Sequence, residues 1–226
     1  MRRSFWSGVI EAVPICLVYA PVGLAFGVLA SQAGLSLVSA GLMSILVYAG
    51  SAQFIAAGLL QAGIGFGPII LTTFLVNLRH ALMSAALTNR LKGMSLGKQA
   101  VFCFELTDET FAIHSTAPDQ EHDKFPHLLG VNLTSQICWV VATLLGVWLG
   151  KALPESLLNQ WGVDYAMTAM FMALLALYLS NMRRVWLALA AIVLTVLSYR
   201  WFPSDWNPIL ITVMIATGGA LTHREG

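Results

Sequence analysis

A few acidic side chains interrupt the apolar runs of this sequence, and they are the residues best suited to exchange protons. Glu105, Asp108 and Glu109 lie three and four positions apart, so a continuous helix would place them on one face. Like charges disfavour one another's ionisation, and a crowded carboxylate can therefore take up and release a proton at working pH. The alternative interpretation is a helix cap or a structural ion pair with Arg79.

Arg79 also lies inside an apolar run, and it is the predicted counter-charge for Asp108 and Glu109. Uncharged side chains form a second set of candidates for contact with a substrate: Tyr48, Ser51, Gln53 and Asn77. Amides and hydroxyls suit a small zwitterion, although they also serve as ordinary contacts between helices.

Glu11 lies about two turns inside the first apolar run and is a candidate to bind a substrate ammonium group or a proton. The alternative is a pair with Arg2 or Arg3 at the end of the helix. Residues that break or kink helices follow it, and we predict breaks at Pro14, Pro21, Gly23, Gly27 and, in the next run, Gly50. Substrate is expected where Pro14–Gly27 meets Tyr48–Phe54.

The composition indicates what kind of structure carries these candidate residues. Of 226 residues, 58% are hydrophobic and only 10% are charged, against roughly 25% in an average soluble domain. This composition excludes a nucleic-acid-binding protein and a soluble enzyme with a charged surface. The sequence predicts an all-α polytopic membrane protein whose environment is lipid.

Eight apolar segments can be distinguished, and together they form one transmembrane domain over residues 1–226. Their approximate bounds are 6–31, 35–62, 66–89, 97–117, 127–150, 164–181, 184–202 and 207–222. Eight full crossings would place the basic residues near Arg90 opposite Arg2 and Arg3, which conflicts with the positive-inside rule. The number of crossings is therefore predicted as six to eight, with the N-terminus in the cytoplasm.

A weak internal repeat offers a solution to this conflict. The stretch from Tyr48 to Ala56 resembles the stretch from Tyr165 to Ala173, which suggests inverted halves at about 6–90 and 120–202. If segments 35–62 and 164–181 are broken and re-entrant, the basic loops all lie on one side. Ordinary full crossings by both segments remain the alternative.

No sequence pattern points to a cofactor, a metal or an enzymatic reaction. His114, His122 and His127 match no zinc spacing, and the chain has no P-loop, nucleophile elbow or H-E-x-x-H motif. We therefore predict a protein that is not an enzyme, that has neither metal nor cofactor, and that does not bind nucleic acid.

Four ordered motifs resemble the azaleucine-resistance (AzlC) family, the large subunits of bacterial branched-chain amino acid exporters. They are Pro14…Pro21-x-Gly23-x-x-x-Gly27, Tyr48–Phe54, Asn77-Leu78-Arg79-His80 and Leu106-Thr107-Asp108-Glu109. The resemblance implies export of valine, leucine, isoleucine or methionine across the bacterial inner (plasma) membrane. It also implies a partner, a small AzlD-type membrane subunit.

These observations together predict a secondary transporter that is coupled to protons, with Asp108 and Glu109 as coupling candidates. The alternative is a channel with re-entrant helices for a small polar solute. An intramembrane enzyme ranks third, because only the acids at 105–109 offer a reactive arrangement.

Overall fold

A computed structural model describes residues 2–116, 124–160 and 182–201, together with residues 165, 172, 211, 214, 215 and 217. Within these residues the regular structure is entirely helical, so the chain is an all-α protein. The helices are α1 (Arg2–Glu11), α2 (Val13–Gln32), α3 (Leu37–Leu46), α4 (Gly50–Gln61), α5 (Phe66–Ala86), α6 (Leu96–Phe104), α7 (Asp108–Thr116), α8 (Phe125–Ala152), α9 (Glu155–Gln160) and α10 (Met182–Trp201).

Three of the described helices are long and apolar enough to cross a membrane, namely α2, α5 and α8. The chain divides into two compact units, residues 1–169 and 170–226. The first unit contains α1 to α9 and every candidate residue named above. In the second, α10 carries an apolar surface that includes Trp186, Ile192 and Val196.

Helices α2 and α8 run side by side in the same direction, and glycines allow their backbones to touch. A Cβ atom on Gly27 would lie 2.7 Å from the Cα atom of Gly146, and one on Gly150 would lie 2.9 Å from the Cβ atom of Ser31. At the other end, Gly130 is in the same close contact with Gly8 of α1. Small residues are what permit such an approach between membrane helices.

This packing corrects part of the predicted set of helix breaks. Helix α2 continues without a break through Pro21, Gly23 and Gly27, so those three positions do not interrupt it. The two glycines fit against α8 instead, where Gly23 faces Ala142. The interruption lies earlier, at Ala12, and Pro14 is in the first turn of α2, where a missing N–H costs no hydrogen bond.

The loop between α5 and α6 marks one end of the first unit. Ser4 of α1, Lys92 and Lys98 line a single pocket with Lys124, which precedes α8. The ammonium group of Lys98 lies 5.4 Å from the ring centre of Phe125. We call this region the basic end. Helices α1 and α2 lead away from it, and we call the end of the unit at which α2 terminates the opposite end.

The segment α3–α4 is a hairpin that enters from the opposite end and returns to it. Helix α3 starts just beyond the end of α2, and the chain turns at residues 47–49. In the returning helix, Gln53 bonds back to Ser44, and the ring of Phe54 packs 5.4 Å from the ring of Phe26. Helix α5 then runs from the opposite end to the basic end.

The segment α6–α7 forms a second hairpin, which enters from the basic end. Its turn is at residues 105–107, and His114 on the returning helix packs against Phe102 on the entering one. Interpreting residues 97–117 as one continuous segment is therefore wrong, and Glu105 does not share a helical face with Asp108 and Glu109. Thr107 lies between the end of α6 and the start of α7 and caps α7. Its N–H donates to Thr110 Oγ1 at 2.8 Å, and the Thr110 N–H donates to Thr107 Oγ1 at 3.3 Å.

The helices α2–α3–α4 and α5–α6–α7 thus form two similar groups. The long helix of the first group runs away from the basic end, and the long helix of the second runs toward it. In each group, one long helix is followed by a hairpin of two short helices. The proposed second re-entrant segment, 164–181, lies almost entirely outside the described residues, as do segment 207–222 and His122. The predicted halves at 6–90 and 120–202 therefore stay a prediction.

Candidate functional site

The turns of the two hairpins meet in the middle of the first unit. We call this place the break junction and define it as residues 47–51 and 105–109 with Tyr19 of α2 and Arg79 of α5. Tyr48 lies at the first turn with a φ of 41°, in the left-handed region that residues other than glycine rarely adopt. Gly50 is the first residue of α4, directly after this turn.

Arg79 connects the two hairpins across the junction. Its Nη1 atom lies 2.7 Å from Asp108 Oδ2, and its Nη2 group donates a hydrogen bond to Ser51 Oγ. The two side chains of the ion pair are 30% and 18% exposed, so both are largely shielded. The structure therefore brings together three candidates that are far apart in the sequence.

Tyr19 makes a second connection, from α2 to the turn of α6–α7. Its hydroxyl donates to Glu109 Oε2 at 2.7 Å and lies 2.8 Å from Thr107 Oγ1. Its ring packs 5.1 Å from the ring of Trp139 on α8. Glu109 is thus held by a buried phenol rather than by an arginine.

Several buried polar atoms at the junction have no hydrogen-bond partner. They are the Tyr48 hydroxyl, Glu105 Oε2, Arg79 Nε and, close by in the sequence, Asn77 Oδ1. Tyr48 is 2% exposed and Glu105 is 7% exposed. The Tyr48 phenol is also within electrostatic range of the carboxylates of Glu105 and Glu109. An unsatisfied buried polar group costs about 1–3 kcal/mol, so these atoms have unused capacity to bind a ligand.

Gln53, in contrast, has partners for both ends of its amide. Its Nε2 group donates to Ser44 Oγ at 2.9 Å, and its Oε1 atom accepts from Trp139 Nε1 at 3.0 Å. Ser44 in turn donates to Thr143 Oγ1 at 3.0 Å. This completely buried network fastens the first hairpin to α8, with Gln136 donating to the carbonyl of Ile45 at 3.2 Å.

Glu11 belongs to a different cluster. Its Oε2 atom lies 2.8 Å from His127 Nε2, near the start of α8. On α7, His114 Nε2 lies 2.7 Å from Asn132 Oδ1. Among the described residues, no group of three or more His, Cys, Asp or Glu side chains is arranged to hold a metal ion.

Sequence analysis did not select Tyr19, Thr107 or Trp139, and it left Glu105 out of the final candidates. Thr107 had a recognisable signal, because a threonine followed by acids in the next turn is a typical helix start. Tyr19 and Trp139 had none. Each acts through a partner more than eighty positions away.

Comparison with known proteins identifies the family of this chain. The family model described as "AzlC protein" matches residues 14–153, which include the break junction and both hairpins. The "Branched-chain amino acid transport protein AzlC" of Bacillus subtilis is 28% identical over 98% of this chain and 87% of its own length.

Two further relatives match over a shorter region. The "Inner membrane protein YgaZ" of Escherichia coli is 28% identical over 76% of this chain and 72% of its own length. An "Uncharacterized membrane protein" of Archaeoglobus fulgidus is 36% identical over 76% of this chain and 74% of its own length. No solved structure matches. The apolar spans, the family match and these relatives together show that the chain is a membrane transport protein and belongs to the AzlC family.

Proposed function

We propose that this protein exports the branched-chain amino acids valine, leucine and isoleucine, and the related amino acid methionine, across a bacterial inner membrane. Transport is secondary and proton-coupled, the N-terminus is cytoplasmic, and a small AzlD-type membrane subunit completes the transporter. The name of the Bacillus subtilis relative, a branched-chain amino acid transport protein, supports this class of substrate.

The meeting of two helix breaks halfway between the ends of the bundle is the observation that carries the proposal. Carriers commonly bind substrates where discontinuous helices meet, because helix termini offer free N–H and C=O groups and partial charges. Here α4 and α7 both begin at the junction, while α3 and α6 both end there. A hairpin leads to this point from each end of the unit, which supports a binding site that substrate can approach from both sides.

The charges at the junction support coupling to protons. Asp108 is paired with Arg79, and Glu109 accepts a hydrogen bond from Tyr19. Protonation of either acid would weaken its bond and free one hairpin from a long helix. In this mechanism Arg79 is the counter-charge that Asp108 leaves and rejoins. The unpartnered Nε of Arg79 leaves a donor for a new acceptor.

The test is valine transport in proteoliposomes that contain this chain with its small subunit. We expect valine accumulation driven by a pH gradient and abolished by a protonophore, and efflux from cells that needs both subunits. Valine transport that is indifferent to the gradient would refute the coupling. Full activity of this chain alone would refute the need for a partner.

A channel is the second candidate, because two re-entrant hairpins meeting at their turns would also suit a pore. The two functions differ in counterflow. A carrier exchanges labelled valine outside for unlabelled valine inside and saturates, whereas a channel shows no exchange against a gradient. We expect counterflow with saturation, and its absence would favour the channel.

A further inference from the structure

The three acids of the break junction are not equivalent. Asp108 is paired with Arg79, and Glu109 accepts a hydrogen bond from Tyr19, whereas Glu105 Oε2 has no partner although the residue is only 7% exposed. An isolated buried carboxylate is costly, so such a group calls for a cation to complete it.

Tyr48 lies near this unpaired acid, and its hydroxyl also has unused hydrogen-bonding capacity. Its hydroxyl is buried beside the Tyr19 hydroxyl without a well-aligned hydrogen bond, and its phenol is within electrostatic range of Glu105. The positive φ of 41° at Tyr48 is a backbone conformation unfavourable for a residue with a side chain, so the surrounding structure must hold the turn in it. A ligand that donates hydrogen bonds would satisfy both groups together.

The ends of the helices give this part of the junction a negative character. Glu105 directly follows the last residue of the short helix α6, and Tyr48 lies two residues after the end of the short helix α3. The carbonyl groups at such ends carry about half a negative charge and favour cations. The N-terminus of α4 lies on the other side of the turn, next to the guanidinium of Arg79 through Ser51, and it favours anions.

We propose that Glu105 and Tyr48 bind the α-ammonium group of the transported amino acid, while the N-terminus of α4 and Arg79 bind its α-carboxylate. The inference rests on the proposed export function, and it defines the orientation of the bound amino acid in the junction. Selectivity among amino acids would then depend on contacts of the aliphatic side chain with residues outside these two sites. Glu11 is not needed for the ammonium group, since its carboxylate lies against His127.

The test measures valine counterflow in proteoliposomes that contain the complete transporter, for the wild type, Glu105→Gln and Tyr48→Phe. Unlabelled valine and its 2-keto analogue, which lacks the ammonium group, serve as competitors. A site built for a hydrogen-bonding group strongly rejects an analogue without it, so the wild type should discriminate against the keto acid. Tyr165→Phe is the matched control, because Tyr165 is exposed and lies outside the junction.

We expect Glu105→Gln to raise the KM for valine by about tenfold or more and to reduce the preference for valine over the keto acid by a similar factor. Tyr48→Phe should cause a smaller change in the same direction. If Glu105→Gln does not fold, as judged by size-exclusion chromatography, Tyr48→Phe alone decides the question.

Two results would overturn different statements. Unchanged KM and unchanged discrimination in folded variants would overturn the ammonium site and leave export intact. A wild-type transporter that shows no valine counterflow would overturn the export function, and the site with it.

Discussion

Arg79 and Asp108 join α5 to the first residue of α7 through a contact of 2.7 Å between Nη1 and Oδ2. The same guanidinium also donates to Ser51 in the first turn of α4. One side chain of a long helix therefore holds the turns of both hairpins, and its release from either partner would change how they meet.

Removal of this ion pair should stop transport. We expect Arg79→Ala and Asp108→Asn each to lower valine counterflow by at least about tenfold, because a partly buried charge is left without its partner. Reversal of both charges, Arg79→Asp with Asp108→Arg, should restore thermal stability but not counterflow, because an aspartate at position 79 cannot donate to Ser51 or bind a substrate carboxylate. Arg200→Ala, at an exposed position of α10, is the control. Normal counterflow by Arg79→Ala would remove the pair from the mechanism.

Coupling should depend on Glu109 and on the phenol that holds it. We expect Glu109→Gln to lose stimulation by a pH gradient while it still exchanges labelled for unlabelled valine, since exchange needs no net proton movement. Tyr19→Phe removes the donor at 2.7 Å from Glu109 Oε2 and should weaken the response to the gradient. A Glu109→Gln protein that still accumulates valine in response to a gradient would assign coupling to another group.

The Gln53 network should contribute to stability rather than to substrate binding. Trp139→Phe deletes the donor to Gln53 Oε1 and leaves a buried acceptor unsatisfied, at a cost of about 1–3 kcal/mol. We expect a lower Tm in detergent and an unchanged KM for valine. Trp148→Phe, at an exposed position on the same helix, should leave Tm unchanged. A large rise in KM would instead place Gln53 in the binding site.

The contact between α2 and α8 should tolerate no side chain at Gly27. A Cβ atom there would lie 2.7 Å from both Gly146 Cα and Val147 N, which are backbone atoms that cannot rotate away. Gly27→Ala should therefore destabilise the protein by about 1–3 kcal/mol. Gly67→Ala is the matched control, because nothing lies within 4 Å of the added atom. Equal thermal stability of the two variants would show that the helices are not in this contact.

Cysteine labelling from the two sides of the membrane tests the hairpins. In a background without Cys16, Cys103 and Cys138, we expect Ser36→Cys and Ala62→Cys to react from one side, because they flank the first hairpin. Residues that flank the second, Lys92→Cys and Lys124→Cys, should react from the other. If the two members of either pair react from opposite sides, that segment crosses fully.

The sequence signal for the first break is local. Gly50, Ser51 and Gln53 interrupt an apolar segment, and the structure has a turn at residues 47–49, directly before Gly50. The partnership of Arg79 with an acid followed from the cost of isolated charges in lipid. The structure forms it with Asp108.

The second hairpin was not predicted because apolar periodicity looks the same in one helix of about twenty residues and in two short ones. Only the cap formed by Thr107 and Thr110 separates them. The role of Tyr19 depends on the packing of α2 against the turn of α6–α7. Sequence reasoning from one chain has no means of finding such a contact.

The glycine contacts between α2 and α8 determine which parts of the protein can move during a transport cycle. The glycine positions fit the facing helix from Gly23, against Ala142, to Gly150, against Ser31 near the opposite end. A shift by one turn, about 5.4 Å, would drive side chains into the facing backbone at several places at once. Helices α2 and α8 therefore have to move together, as one unit, in any transport cycle that keeps these contacts.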